Sequence, residues 1–314
     1  MRVKKIAYIV VGSVLAGLGS HQAYAADAVP AYVKASIETS ARPRTEHKAD
    51  AAMKPADALM FSGVKPGMTV VDILPGTGYF TRLISGVVGD KGAVYMLVPF
   101  ATGLDDEARR GPAVLDINQN RPMTRIDSAY SVEAQPPYKN NLTVYWEQIN
   151  NMFSFPKQID VVFAAGAYHV LKSDEFAKLD MAKANQNIYR AVKNGGYYVV
   201  IDNVAKAGSG FSAAKTLNRV EANTVKAEVI AAGFVLDAES AFGANPSDDH
   251  GAAATNPQST DRFALRFKKP ATAPNTNKRP PDTKAAVAGY FGNTRRGSVG
   301  EKNERRVLYH PDLT

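Results

Sequence analysis

Short apolar, β-branched runs alternate along the chain with stretches whose apolar residues recur every three or four positions, and this alternation predicts elements. Thr69-Val70-Val71-Asp72-Ile73-Leu74 is a run of the kind that forms a strand buried on both faces, and Pro75-Gly76-Thr77-Gly78 breaks it. Helical spacing continues through Tyr79, Phe80, Leu83, Ile84, Val87 and Val88 until Gly89-Asp90-Lys91-Gly92 turns the chain. The strand signal returns at Ala93–Val98, Leu142–Trp146, Ile159–Ala165 and Tyr197–Asp202, and in two final runs, Phe234–Ser240 and Asp261–Lys269. Between these runs the spacing predicts helices over Asp105–Asn118, over Asp174–Val192 with acids leading and Arg190 and Lys193 trailing, and over Ala213–Ala232. Gly195-Gly196 reads as the stop of the second of these helices, and residues 119–141 show no clear period.

Seven strand signals interleaved with helices predict an α/β fold, a doubly wound, mostly parallel, Rossmann-like sheet with right-handed crossovers. The closing pair of strands predicts an antiparallel hairpin at one edge. Ahead of the first strand, Asp27–Lys54 is rich in Ala, Arg and charge with a weak helical period, and Lys54-Pro55 opens a short helix over Ala56–Phe61. From Pro270 the composition shifts to Pro, Thr, Asn and Lys. The reading divides the chain into a leader (1–25), a helical arm (26–55), a main domain (56–269) and a proline-rich linker with a basic tail (270–314).

The leader changes the expected compartment. Arg2, Lys4 and Lys5 precede an apolar stretch from Ile6 to Leu18, and Ala23-Tyr24-Ala25 has the small-x-small pattern of a signal peptidase site. Thirteen such residues rise about 20 Å as a helix, short of a ~30 Å hydrocarbon core, so the segment reads as a cleaved export signal rather than an anchor. The mature chain is expected in the periplasm or outside the cell, with no integral membrane segment.

Charge narrows the partners. The 314 residues hold 38 basic against 30 acidic residues, a formal charge of +8. Three of the basic residues lie in the leader and ten in residues 268–314, leaving residues 26–267 near neutrality. A basic nucleic-acid groove on the main domain is therefore not expected, and a small-molecule partner is. The absence of cysteine excludes a disulfide scaffold, a thiol nucleophile and Cys-ligated zinc or iron–sulfur clusters. No G-x-S-x-G elbow, Walker loop or H-E-x-x-H helix is present, which leaves hydrolase, NTPase and metalloprotease readings without their motifs.

The candidate chemistry sits at the carboxyl ends of the strands. The glycine turn after Leu74 lets a ligand approach the backbone while the next helix presents unpaired N–H groups. It lacks the spacing of a dinucleotide fingerprint, so a nicotinamide site is disfavoured, and a tight turn without a ligand is the plainer alternative. Tyr168-His169 follows the fourth strand at the same edge and reads either as a general base with its neighbour or as a hydrogen-bonded structural pair. Asp202 and Asn203 end the fifth strand there. Arg219 and Glu221, in Asn218-Arg219-Val220-Glu221 on the expected long helix, suit the fixing of a loop, and Asp248-Asp249-His250 lacks the spaced partner that a metal site needs.

The run Val70-Val71-Asp72-Ile73-Leu74-Pro75-Gly76-Thr77-Gly78-Tyr79-Phe80-Thr81 resembles motif I of class I S-adenosylmethionine-dependent methyltransferases. More specifically, the chain is similar to a family of exported methyltransferases of that class. The likeness covers about residues 42–269, at Arg42-Pro43, Val64-Lys65-Pro66-Gly67-Met68, Tyr168-His169, Asn194-Gly195-Gly196-Tyr197, Asn245-Pro246-Ser247-Asp248-Asp249 and Thr260-Asp261-Arg262-Phe263. The resemblance implies S-adenosylmethionine as cofactor, with Asp72, Gly76, Gly78 and Tyr79 lining its methionine and ribose side. Two positions depart from the wider class. Pro75 stands where many members have glycine, and Val98-Pro99 stands where an acid usually holds both ribose hydroxyls. Two functions follow: methyl transfer to a small molecule, or an exported binding module on the same fold.

Overall fold

The computed structural model describes residues 28–100, 113–116, 121–148, 158–177 and 179–271. The expected leader, most of the expected helix Asp105–Asn118 and nearly all of the linker and tail lie outside the described residues. The strands are β1 (Thr69–Ile73), β2 (Ala93–Phe100), β3 (Ala113–Asp116), β4 (Arg121–Thr124), β5 (Leu142–Gln148), β6 (Ile159–Ala165), β7 (Val192–Asn203), β8 (Val235–Ser240) and β9 (Arg262–Lys268). The helices are α1 (Ala31–Glu38), α2 (Arg44–Met53), α3 (Pro55–Ser62), α4 (Tyr79–Val88), α5 (Arg125–Glu133), α6 (Tyr168–Leu171), α7 (Met181–Ala191), α8 (Ala214–Leu217) and α9 (Ala222–Ala231).

Seven strands form one sheet in the order β5-β2-β1-β6-β7-β9-β8. The first five pair in parallel, and β9 runs antiparallel between β7 and β8. This is the doubly wound sheet with a C-terminal antiparallel hairpin that the sequence predicts. Alternate residues feed opposite cores, because successive side chains of a strand leave opposite faces. Val71 and Ile73 of β1 join α7 and α9 on one side, while Val70 joins α1, α3, α4 and α5 on the other. The connection leaving β1 thus crosses on one face and that leaving β6 on the other, so their carboxyl ends part and leave a crevice.

Several elements differ from the sequence expectation, each for a local reason. Only Met181–Ala191 of the expected helix Asp174–Val192 forms an α-helix, started by Asp180, whose side chain accepts from the Lys183 N–H at 3.0 Å. Asp174–Phe176 is a separate 3₁₀ turn. Gly195-Gly196 does not stop that helix, because Val192 already pairs with Ile159 in the sheet. The pair instead lies where the β6/β7 register shifts, and a Cβ on Gly196 would stand 2.7 Å from the Asp160 carbonyl oxygen. The expected helix Ala213–Ala232 breaks at Asn218, in the left-handed region at φ 54°, because Val220 leaves the helix to bridge Val204. Residues 113–116, expected as helix, form β3 and pair with β4. The 119–141 stretch holds α5, whose Ile126, Ala129 and Val132 recur every three residues and are all buried.

The arm is part of the core. Ser36 of α1 donates to the Leu83 carbonyl at 2.6 Å, and a Cβ on Gly86 would lie 2.7 Å from its hydroxyl, so α1 and α4 touch backbone to backbone. Among the described residues no helix is long and apolar enough to cross a membrane.

Candidate active site

The crevice between β1 and β6 is a cavity of about 430 Å³ with three walls. The first is the turn after β1, the second the ends of β6 and β7, and the third the long β8–β9 connection, with Met53 of α2 closing one corner.

In the first wall, Leu74 adopts φ 52°, unusual for a bulky side chain, and its N–H donates to the Leu97 carbonyl at 2.9 Å. Leu74, and not only Pro75, is therefore the conformationally demanding position of this turn. Gly76 (φ 59°) lines the cavity, and nothing stands within 4 Å of where its Cβ would be. Gly78 faces the opposite way: a Cβ there would meet Val132 at 2.6 Å, and Gly78 is not among the lining residues. The two glycines thus serve different purposes, open approach at Gly76 and close packing at Gly78. From behind, Ser128 donates to the Gly76 carbonyl at 3.0 Å and Arg82 to the Thr77 carbonyl at 2.9 Å.

Asp72 lies at the floor of this wall, buried, with its Oδ2 accepting from the Thr81 hydroxyl at 2.6 Å. Burial raises its pKa to about 7, against the opposing pull of the Thr81 bond. Tyr79 also lines the cavity, but its hydroxyl donates to Asp50 of α2 at 2.6 Å, and the Arg42 guanidinium lies 5.3 Å from its ring centroid. Arg42 grips Asp50 with two nitrogens, at 2.7 and 3.0 Å, and reaches Glu46 at 3.5 Å. Arg82 closes the network by donating to Glu46 and to Gln135. Burial raises the Glu46 pKa to about 7 although Arg82 and Arg42 draw it down. The helical arm thereby holds the glycine turn in place.

In the second wall, Asp202 at the end of β7 lines the cavity and accepts from the His169 N–H at 3.0 Å and from its ring Nδ1–H at 2.7 Å. Burial disfavours the charged ring, yet the Asp202 carboxylate outweighs it and the His169 pKa is raised. Neither Tyr168 nor His169 is among the lining residues. Tyr168 is fully buried on the other side of the sheet edge, donating to Glu228 of α9 at 2.6 Å and accepting from Asn185 at 3.1 Å, an arrangement that fastens α6 to α7 and α9. Of the residues singled out at this edge from the sequence, Asp72, Gly76, Tyr79, Asp202 and Asn203 line the cavity, and Gly78, His169 and Tyr168 support it from behind.

The third wall is the loop that carries Ala254 to Pro257 and Thr260. Arg219 holds it. Its Nε donates to the Ala252 carbonyl at 2.9 Å, one terminal nitrogen to the Val204 carbonyl at 2.9 Å, and the other to Asp248 at 2.9–3.0 Å. Asp248 also accepts from the Asp261 and His250 backbone N–H groups, and the His250 Nε2 lies 2.8 Å from Asp261. Asp248 and His250, weighed above as metal ligands, are employed within the loop. Arg219 thus fixes a loop as the sequence suggests, but from the break at Asn218 and not from the continuous helix that periodicity predicts.

Sequence reasoning misses Met53 and Arg262 as lining residues. Arg262 opens β9 inside the Thr260-Asp261-Arg262-Phe263 motif, and the one available signal was a cation at an inward position of a strand flanked by Phe263, Ala264 and Leu265.

No protein-family model matches the chain, and no curated protein does. Solved structures resemble it at the level of fold. An S-adenosylmethionine-dependent methyltransferase from Aquifex aeolicus is 18% identical over 73% of this chain and 98% of its own, with a TM-score of 0.45. The CcbJ methyltransferase of Streptomyces caelestis is 13% identical over 71% of this chain and 90% of its own, with a TM-score of 0.46. The fibrillarin of Aeropyrum pernix, solved with natively bound S-adenosyl-L-methionine, is 14% identical over 68% and 74%, with a TM-score of 0.40.

Proposed function

We propose that the protein transfers the methyl group of S-adenosylmethionine to a small molecule. The observation that carries this reading is the cavity at the parting of β1 and β6, entered beside Gly76, whose missing side chain leaves the backbone open to a ligand. The residues fit the cofactor on its methionine side, where Asp72 and Gly76 would hold it and the ring of Tyr79 would pack along it. On the ribose side Val98 is only 2% exposed and supplies no acid, so affinity is expected to be lower by about one to two decades than with a charge-assisted contact.

When bound, the cofactor supplies a methyl group already activated on a sulfonium. The chain therefore needs to orient and to exclude water more than to activate, and positioning alone is worth a large part of such a barrier. The Arg82 and Ser128 bonds fix the turn carbonyls, and the Asp202–His169 pair fixes the end of β7 across the cavity. Asp202 is the lining carboxylate opposite the turn, and His169 acts through it as a positioning residue.

Isothermal titration of the purified mature protein with S-adenosylmethionine and S-adenosylhomocysteine tests the reading. Saturable binding below about 1 mM supports it. No heat at millimolar ligand would leave the binding-module reading, which the buried Val98 favours.

A further inference from the structure

Among the described residues, Arg262 is a buried cation without an anion. Its residue is 8% exposed, it lines the cavity, and among the described residues it forms no ion pair. One terminal nitrogen donates to the Ala52 carbonyl at the end of α2, the other approaches the Met53 sulfur at 3.8 Å, and the buried Nε has no hydrogen-bond partner. The contrast with its neighbours is sharp, since Arg42, Arg82 and Arg219 each hold a carboxylate. An uncompensated charge in such a place costs several kcal/mol, so a helix-capping bond to Ala52 is a poor sole reason for keeping it. Burial lowers the pKa of the guanidinium, in keeping with a group that lacks its counter-ion.

We propose that Arg262 receives the carboxylate of the methyl acceptor, which makes the substrate class a small carboxylic acid. The assignment rests on the methyltransferase reading of the same cavity. A single guanidinium that lines the cavity and holds no carboxylate suits a single negative charge, and a carboxylate fits a guanidinium better than other monoanions. Arg262 reaches the cavity from β9 whereas the glycine turn follows β1, and Tyr79, just past that turn, lies within electrostatic reach of Arg262. Arg262 stands at the start of β9, next to Thr260 of the third wall and beneath Gly243, where a Cβ would lie 3.4 Å from its Nε. The turn that would hold the cofactor belongs to β1, three strands away in the sheet order.

The test compares matched acids and amides, benzoate with benzamide and hexanoate with hexanamide, by titration of the full protein in the presence of saturating S-adenosylhomocysteine. The wild type is expected to prefer the acid by at least about tenfold, the lower end for a charge-assisted pair, and R262Q to lose that preference with its S-adenosylhomocysteine affinity unchanged. An acid that binds no better than its amide, or a preference that survives in R262Q, overturns the proposal. Should R262Q fail to fold, the wild-type arginine Nε–H resonances decide: one that moves with benzoate and not with benzamide supports the site, and none moving overturns it. If R262Q weakens S-adenosylhomocysteine but not 5′-methylthioadenosine, the carboxylate is the cofactor's own and the acceptor assignment falls. If S-adenosylhomocysteine never binds, the methyltransferase reading fails separately, and the acid and amide pairs run without it still judge Arg262.

Discussion

Two of the three walls of the cavity are pinned by arginine networks, and the networks behave differently. Behind the glycine turn, Arg42, Glu46, Asp50 and Arg82 are packed against α4 with two cations facing two acids, and burial still holds Glu46 at about 7. Over the β8–β9 loop, Arg219 meets Asp248, whose carboxyl is pushed up by burial but drawn further down by the N–H groups of Asp261 and His250 and by Arg219 itself. Glu46 in the first network titrates near neutrality, whereas Asp248 in the second is held below its ordinary carboxylate range. Backbone donors, more than the number of ion pairs, decide which wall feels pH.

The largest expected effect comes from removing the central cation of each network. Arg82→Met leaves Glu46 buried with one partner fewer and frees the Thr77 carbonyl, so chemical denaturation is expected to show a loss of about 3–5 kcal/mol. Arg219→Met releases a loop from hydrogen bonds to two carbonyls and to Asp248, which keeps two backbone donors, and is expected to cost about 2–3 kcal/mol. A larger loss for Arg219→Met would reverse the ranking of the two walls.

Gly76 and Gly78 sharpen the comparison on one turn. Gly76→Ala meets open space but must adopt φ 59°, a penalty of about 1 kcal/mol, whereas Gly76→Val adds bulk in the cavity. Gly76→Val is expected to abolish S-adenosylhomocysteine binding in a protein that still unfolds cooperatively. Unchanged affinity in folded Gly76→Val would remove the ligand from this turn.

Stability against pH gives a smaller but directional effect. Glu46 and Asp72 both have pKa values raised to about 7, so between about pH 4 and 7 the folded state binds more protons than the unfolded one, and stability falls as pH rises. His169, also raised, adds stability that is complete below its unfolded value near 6.5 and is lost as pH rises through its folded value. The melting temperature is therefore expected to decline from pH 5 to 8, and Glu46→Gln to flatten part of that slope. A flat or rising profile over that interval would overturn the raised carboxyl pKa values.

The smallest effect concerns the ends of the chain. The mature protein is expected to begin at Ala26 by N-terminal sequencing, and deletion of residues 272–314 to leave the melting temperature within about 5 °C of the full chain.

Much of this architecture was legible because buried strands announce themselves: the β1, β6 and β7 runs have no polar residue at most inward positions, and only a two-faced sheet accommodates them. The break at Asn218 was not legible, because Leu217, Val220 and Val225 keep apolar spacing while the backbone turns for a bridge to Val204. In the site, Gly76 could be read from the strand–turn–helix pattern, and Asp72 from the resemblance at motif I. Their roles could not be told apart from that of Gly78, since only the approach of Val132 from α5 shows which glycine faces a ligand and which faces a neighbour. Tyr168 has the same lesson in reverse, with the chemistry of a catalytic phenol and the surroundings of a strut.

Arg262 also bears on the order in which the chain acquires its shape. Its hydrogen bond to Ala52 joins residues 210 positions apart, and β9 fills the gap between β7 and β8 only after almost the whole described chain exists. Contacts of that separation close large loops and slow folding. The parallel strands can assemble earlier, but the corner of the cavity formed by Met53 and Arg262 comes into being last. A chain halted before β9 would hold a glycine turn with no chamber behind it, so ligand binding reports the arrival of β9 more faithfully than secondary structure does.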